Sequence, residues 1–320
     1  MARKNLMVQI DVKSARFNLL GAALEAAGAV ILGKEQELRL ALTCLLARGH
    51  LLIEDLPGVG KTTLAHLLAR LLGLQFSRIQ FTSDLLPADV VGVSVLEQGS
   101  EGFRFHPGPL FAQVVLADEI NRATPKAQSA FLEAMEERQV TVDGETRPLP
   151  EPFFVIATQN PSYQVGTFPL PESQLDRFLM RIRLGYPAAA QEKILLAGED
   201  RRALVERQGP VLSAAELAEL QRQVIRVHAA APVIDYCHDL LLFTRRCERF
   251  LHGLSPRAGI ALLRAAKAWA LLGGRAFVIP EDIQAVLPSV VVHRLAGGDG
   301  LGRLDQDEVA SLILGSVPVP

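Results

Sequence analysis

The sequence predicts an α/β domain built on a doubly wound parallel sheet, followed by an all-helical domain. Three observations carry that prediction. Through Tyr186, short apolar runs alternate with amphipathic helical stretches, the rhythm of strands joined by crossover helices. The runs are nearly unbroken in apolar residues, as expected of parallel strands covered on both faces. After Pro187 the strand signal stops and only helical periodicity remains. The break divides the 320 residues into 1–186 and 187–320, each long enough to bury a core.

In order along the chain, strands are expected at His50–Glu54, Gln75–Phe81, Gln113–Ala117, Phe153–Thr158 and Leu179–Leu184. One helix is expected from Thr62 to Leu72. Another is expected at Pro125–Glu137, where Thr124 can N-cap and Pro125 takes the first helical position. Two segments interrupt the alternation and read as inserted hairpins. Val93–Leu96 and Gly102–His106 flank turn-forming residues, while Gln139–Val142 and Glu145–Pro148 flank Asp143-Gly144, a strong turn signal. In the second half, Ser213 and Glu216 form a capping box ahead of an amphipathic run to about Ala229. Ser255-Pro256 opens a helix that reaches Gly273-Gly274, and Pro280 opens another.

Composition narrows the function classes. Basic and acidic residues number 18 and 20 through Tyr186 and 15 of each beyond it, so neither half has the positive surplus of a protein that grips nucleic acid by bulk electrostatics. A hydrophobic content of 49% excludes disorder. Three scattered cysteines (Cys44, Cys237, Cys247) argue for a reducing compartment rather than a disulfide framework. No apolar run follows the basic first residues, so no secretory signal is read. Leu19–Leu32 is broken by Glu25, and Ile260–Leu272 by Arg264 and Lys267. Both fall short of the roughly 20 apolar residues that span a bilayer. A cytoplasmic protein without membrane insertion is expected.

The sharpest local signal runs from Leu51 to Thr63. A strand ends at Glu54, a loop of Asp55, Leu56, Pro57, Gly58, Val59 and Gly60 follows, and Lys61-Thr62-Thr63 opens a helix. This is the strand–loop–helix context of a P-loop, whose backbone N–H groups and helix N-terminus cradle phosphates. Lys61 would reach the β- and γ-phosphates, and Thr62 would offer its hydroxyl to Mg²⁺. Asp55 departs from the Gly of the general pattern. An acid there is unfavourable beside phosphates unless its side chain turns outwards to cap a backbone turn. A second strand ends in Asp118-Glu119, at the sheet edge where open α/β folds bind ligands. Asp118 can hold Mg²⁺ through its water shell, and Glu119 can polarise an attacking water.

Ala117-Asp-Glu-Ile-Asn-Arg-Ala123, Gln128-Ser-Ala-Phe-Leu-Glu-Ala-Met-Glu136 and Glu54-Asp-Leu-Pro-Gly-Val-Gly-Lys-Thr62 together resemble the MoxR family of AAA+ ATPases. The resemblance runs from Gly33 to the Pro280 helix, and it removes Asp55 as an objection because the family tends to carry Asp there. It implies a P-loop AAA+ core with a helical lid, ATP and Mg²⁺ as ligands, and a homo-oligomeric ring, a hexamer. By similarity, Asn160 is the sensor that orients the lytic water. Arg177 is the arginine finger that enters the neighbouring subunit's site, and Arg257 on the lid reaches back to the γ-phosphate. Gly33, within Ile31–Lys34, lies in the stretch that packs on adenine, and both hairpins face the ring pore. The implied output is chaperone-like remodelling or maturation of a partner complex, with a von Willebrand factor A-like domain as the usual partner.

Local alternatives stand beside these roles: Asn160-Pro161 is also a turn initiator, Arg177 could pair with Asp176, and Arg257 could be an exposed first-turn residue. The seven histidines lack metal-binding spacing, and Arg201-Arg202 and Arg245-Arg246 read as solvated faces. Two other classes keep the same P-loop, a nucleic-acid motor and a small-molecule kinase. Acidic Glu97, Glu101, Asp143 and Glu145 on the hairpins disfavour the motor. Motor and lid together occupy nearly all of the chain, so specificity is expected from a partner.

Overall fold

All five expected strands form, and they pair into one parallel sheet. The computed structural model describes residues 19–96, 103–160, 167–295 and 305–320. Helices α1 (residues 19–30) and α2 (Glu35–Leu46) lead into β1 (Leu51–Glu54), α3 (Lys61–Leu71) and β2 (Phe76–Gln80). Next come α4 (Pro87–Val91), β3 (Gly92–Leu96), β4 (Phe103–Pro107), β5 (Val114–Asp118) and α5 (Pro125–Glu137). The α/β part closes with β6 (Gln139–Val142), β7 (Glu145–Pro148), β8 (Phe154–Gln159), α6 (Glu172–Leu175) and β9 (Met180–Ile182).

The sheet order is β2-β5-β8-β1-β9. Registers Glu54↔Gln159, Ala117↔Ala157 and Gln80↔Asp118 bring the C-terminal ends of four strands level, so the loops that follow them share one edge. Side chains alternate between the two faces. Leu51, Ile53, Val114, Leu116, Phe154 and Ile156 join one core, whereas Leu52, Val115, Ala117, Val155 and Ala157 join the other with Phe131, Leu132 and Met135 of α5. Burial on both faces is why the three central strands β1, β5 and β8 carry almost no polar residue before their ends.

Both hairpins are present. β6 and β7 turn through Asp143 (φ 53°) and Gly144 (φ 80°), the doubly left-handed two-residue turn that Asp-Gly favours. β3 pairs with β4 from Gly92↔Pro107 to Leu96↔Phe103; its connecting turn, including Glu97, Glu101 and Gly102, lies outside the described residues.

The remainder is helical: α7 (Ala189–Ala197), α8 (Arg201–Arg207), α9 (Ala214–Arg226), α10 (Ala231–Arg246), α11 (Pro256–Leu272), α12 (Pro280–Val291) and α13 (Gln306–Ser316). The capping box forms as expected, with Ser213 N–H donating to Glu216 at 2.8 Å and Glu216 N–H to Ser213 at 3.3 Å. α9 stops at Arg226 rather than near Ala229, because His228 leaves the helix for an isolated bridge to Phe277. Apolar residues of α9, α11 and α12 join the same core as α2 and one face of the sheet, so the two parts of the chain share a hydrophobic interior.

Candidate active site

The loop between β1 and α3 is shaped by its glycines. Gly58 (φ 86°) and Gly60 (φ 94°) adopt the left-handed region that L side chains avoid, and open space surrounds the position a Cβ would take at each. Gly60 is the N-cap of α3, so the free N–H groups of the first turn face the loop. Lys61 is buried and donates to the carbonyls of Asp55 (2.6 Å) and Leu56 (3.2 Å). Burial pushes its ammonium below the ordinary lysine value, against the pull of Asp55, Asp118 and Glu119.

Asp55 faces away from the cradle. Its Oδ1 accepts from Leu56 N–H at 2.8 Å, and its Oδ2 accepts from Leu184 N–H and Gly185 N–H, each at 2.6 Å. The carboxylate therefore pins the loop to the exit of β9.

Asp118 and Glu119 close the end of β5. Thr158 at the end of β8 serves both: its hydroxyl donates to Asp118 Oδ1 (2.6 Å) and accepts from Glu119 N–H (2.8 Å). Arg78 of β2 takes Asp118 Oδ2 at 2.7 Å. Glu119 has φ 56°, a conformation that costs a non-glycine residue about 1–3 kcal/mol and persists only where its surroundings enforce it. Its carboxylate is held by Asn160 Nδ2 (2.9 Å), Gln80 Nε2 (3.2 Å) and Arg122 Nε (3.1 Å). Asn160 is itself fixed by Asn121, which donates to its carbonyl and accepts from its N–H, while its Oδ1 is buried without a partner.

A cavity of about 360 Å³ gathers Pro57, Gly58, Gly60, Lys61, Thr62, Thr63, Asp118, Glu119 and Asn160. Sequence reasoning missed its remaining walls: His66 on α3, and Arg202, Val205 and Glu206 on α8. Arg202 is exposed, as expected of a solvated face, yet it lines this cavity. Val59 packs against the core instead of lining the cavity. Gly33 (φ 67°) also lies outside it, with a would-be Cβ 3.1 Å from Gln191 of α7.

Arg177 and Arg257 lie elsewhere. They line a second cavity, also about 360 Å³, with His50 and Leu179, the residues immediately before β1 and β9. That is the N-terminal edge of the sheet, a strand length of roughly 13 Å from the phosphate loop. Glu136 of α5 binds both guanidiniums, Arg177 at 3.0 Å and Arg257 at 2.6 Å. Arg257 therefore does not reach back to a phosphate held by its own Lys61. The cause is the packing of α11 against α2 and α9, which carries its first turn to the opposite edge.

Comparisons with known proteins agree with this architecture. Residues 50–180 match the ATPase family associated with various cellular activities (AAA), and residues 242–311 match the AAA lid domain. The chaperone MoxR1 of Mycobacterium tuberculosis is 40% identical over 88% of this chain and 77% of its own. Protein MoxR of Paracoccus denitrificans is 35% identical over 96% and 97%. The chain belongs to the MoxR family of AAA+ ATPases. A crystal structure from Cytophaga hutchinsonii, of a protein assigned as an ATPase, superposes on this MoxR-family fold with a TM-score of 0.87. It is 34% identical and covers 99% of both chains.

The MoxR-family core offers a donor set that suits Mg²⁺ in the presence of phosphate. Among the described residues no group of three or more His, Cys, Asp or Glu could hold a metal ion. Thr62 and Asp118 supply two hard oxygens in one cavity, and Mg²⁺ typically completes its octahedron with waters and substrate phosphates. No described helix is long and apolar enough to cross a membrane.

Proposed function

We propose that the chain hydrolyses ATP to ADP and phosphate as one subunit of a homo-oligomeric ring, a hexamer, with residues 1–186 as motor and 187–320 as lid. The carrying observation is Glu119, held in a strained conformation by Thr158, Asn160, Gln80 and Arg122 in the same cavity as Lys61 and Thr62. Lys61 and the N–H groups of Gly58 to Thr63 grip the phosphates, and Glu119 takes the proton of the attacking water while Asn160 keeps its carboxylate aimed. Thr62 and Asp118 would hold Mg²⁺, which would supply charge neutralisation for the phosphates.

Arg177 and Arg257 act on the nucleotide of a neighbouring copy. Their position on the sheet edge opposite Lys61 supports this, because a head-to-tail interface apposes unlike faces and closes into a ring. The output is chaperone-like remodelling of a partner complex, with a von Willebrand factor A-like protein as the expected partner. The relative named as a chaperone supports it, as does the apolar hairpin β3–β4, where Leu96 and Phe103 are 59% and 75% exposed.

The test is Glu119→Gln. This variant should bind ATP as the parent does and lose turnover. Hydrolysis at the parental rate would remove the water-activating role.

A further inference from the structure

Asp118 reaches the phosphate-loop cavity with both of its oxygens already engaged. Oδ1 accepts from the Thr158 hydroxyl at 2.6 Å, and Oδ2 takes two donors of one guanidinium, Arg78 Nη2 at 2.7 Å and Nε at 3.2 Å. Gln80 pairs with Asp118 across the β2–β5 ladder, and Arg78 lies two residues earlier on the same strand face, so its long side chain can run up to the sheet edge. The other cations of the site are committed elsewhere. Lys61 donates to the carbonyls of Asp55 and Leu56, and Arg122 pairs with Glu119 at 3.1 Å. Among the described residues, Arg78 is the one cation within ion-pair distance of Asp118. Arg78 does not line the cavity, so its charge meets Asp118 from outside the wall that Asp118 shares with Thr62.

We propose that Arg78 is a positioning residue that sets the Mg²⁺ requirement: it neutralises Asp118 while no metal is bound, and Mg²⁺ must compete with it for that carboxylate. This role rests on the Mg²⁺ assignment of Asp118 proposed above. The Asp118 side chain is only 10% exposed, and a buried carboxylate without a counter-charge is costly, so a cation beside it is needed until a metal arrives. Two cations on one carboxylate oxygen repel each other, so the guanidinium and the metal do not share Oδ2 without loss. Releasing Arg78 costs little. Its side chain is 48% exposed, so water solvates the freed guanidinium, and Nη2 keeps Gln80 Oε1 as a partner at 2.9 Å. The pair is thus strong enough to hold Asp118 and weak enough to open for a divalent ion that arrives with phosphates.

The experiment titrates the full chain with ADP calorimetrically, once in EDTA and once in excess Mg²⁺. The ratio of the two dissociation constants measures what Mg²⁺ adds at the site. Arg78→Gln should raise that ratio about two- to fivefold over the parent, the equivalent of one partly exposed ion pair, and Arg78→Lys should keep it near the parental value. In EDTA, Arg78→Gln should also melt below the parent, and its ADP complex should gain more in melting temperature on addition of Mg²⁺. A ratio unchanged or lowered in Arg78→Gln overturns the proposal, because Arg78 would then only hold Asp118 in place. Should Arg78→Gln unfold before it can be titrated, Arg78→Met, which keeps the aliphatic stem, is read by the same criterion. Asp118→Asn separates the two claims, since it should lower the ratio. If it does not, the metal assignment in the proposed function fails and the role of Arg78 falls with it. If it does, while Arg78→Gln leaves the ratio at the parental value, the role of Arg78 alone is lost.

Discussion

At the scale of single residues, Thr158 holds both Asp118 and Glu119 with one hydroxyl, donating to the carboxylate of Asp118 and receiving from the N–H of Glu119. Thr158→Val keeps the shape and removes both bonds, leaving Glu119 N–H buried without its acceptor. Turnover should fall by about a hundredfold, the penalty of misplacing a reacting group by an ångström. ATP affinity should change little. A steady-state comparison of kcat and KM checks both. Arg202 should show the opposite division, since it lines the cavity from α8 without touching Glu119: Arg202→Ala should raise KM for ATP and leave kcat near the parental value.

Which of these residues the sequence revealed follows from how each side chain is presented. Asp118 and Glu119 are legible because they end an apolar run, and Gly58 and Gly60 because only glycine accepts their backbone. Arg78, Gln80 and Arg202 are polar residues on partly exposed elements, indistinguishable in sequence from solvated faces. Only the pairing of β2 with β5 and the lie of α8 bring them to the site.

Among elements, the phosphate loop is fastened to β9 more firmly than by strand pairing alone. Asp55 accepts three backbone N–H groups, and Glu54 beside it forms a buried ion pair with Arg181 at 2.9 Å. The donors Leu184 and Gly185 precede the exit to the helices, where Lys34 also donates to the carbonyl of Tyr186 at 3.1 Å. Asp55→Gly restores the general phosphate-loop pattern yet strands three amides. Stability should fall by about 1–3 kcal/mol or more, read from urea unfolding, and KM for ATP should rise. An unchanged midpoint would mean that water replaces the carboxylate at no cost. The five sheet strands, both hairpins, α3, α5, α11 and the starts of α9 and α12 were legible to within a residue or two because their signals are local: apolar runs, caps and an Asp-Gly turn. The reach of Asp55 across about 130 positions to Leu184 was not, since nothing local marks its partner.

For the molecule as a whole, two buried histidines set a stability limit in acid. Burial, followed by Arg138, lowers His50 to about 3, and its Nδ1 accepts Val155 N–H at 3.0 Å, a bond that needs the ring nitrogen unprotonated. His293, buried against Arg294 and Arg181, is also held well below the usual histidine value. Both are neutral when folded and protonate near 6.5 when unfolded, so the unfolded state gains protons first as pH falls. Stability should decline below pH 6.5, by about 1.4 kcal/mol per pH unit for each histidine, until the folded-state values are reached. Melting temperatures between pH 7 and 5 test this, and His50→Gln should flatten the slope. At this scale the sequence misled on one point. Arg257 opens a capped helix as expected, but helix identity does not reveal which sheet edge the helix reaches, and α11 carries it away from Lys61.

With the phosphate loop and the arginines on opposite edges of one sheet, the proposed ring requires two copies for a complete site. Lys61→Ala and Arg177→Ala should each abolish ATP turnover alone, yet a mixture of the two forms some interfaces in which an intact loop meets an intact arginine. The ATPase rate of the equimolar mixture, refolded or exchanged together, is the measurement. Recovery to roughly a quarter of the parental rate is expected for head-to-tail interfaces that pair at random. A mixture as inactive as its components, or an Arg177→Ala protein that turns over at the parental rate, would contradict a shared site.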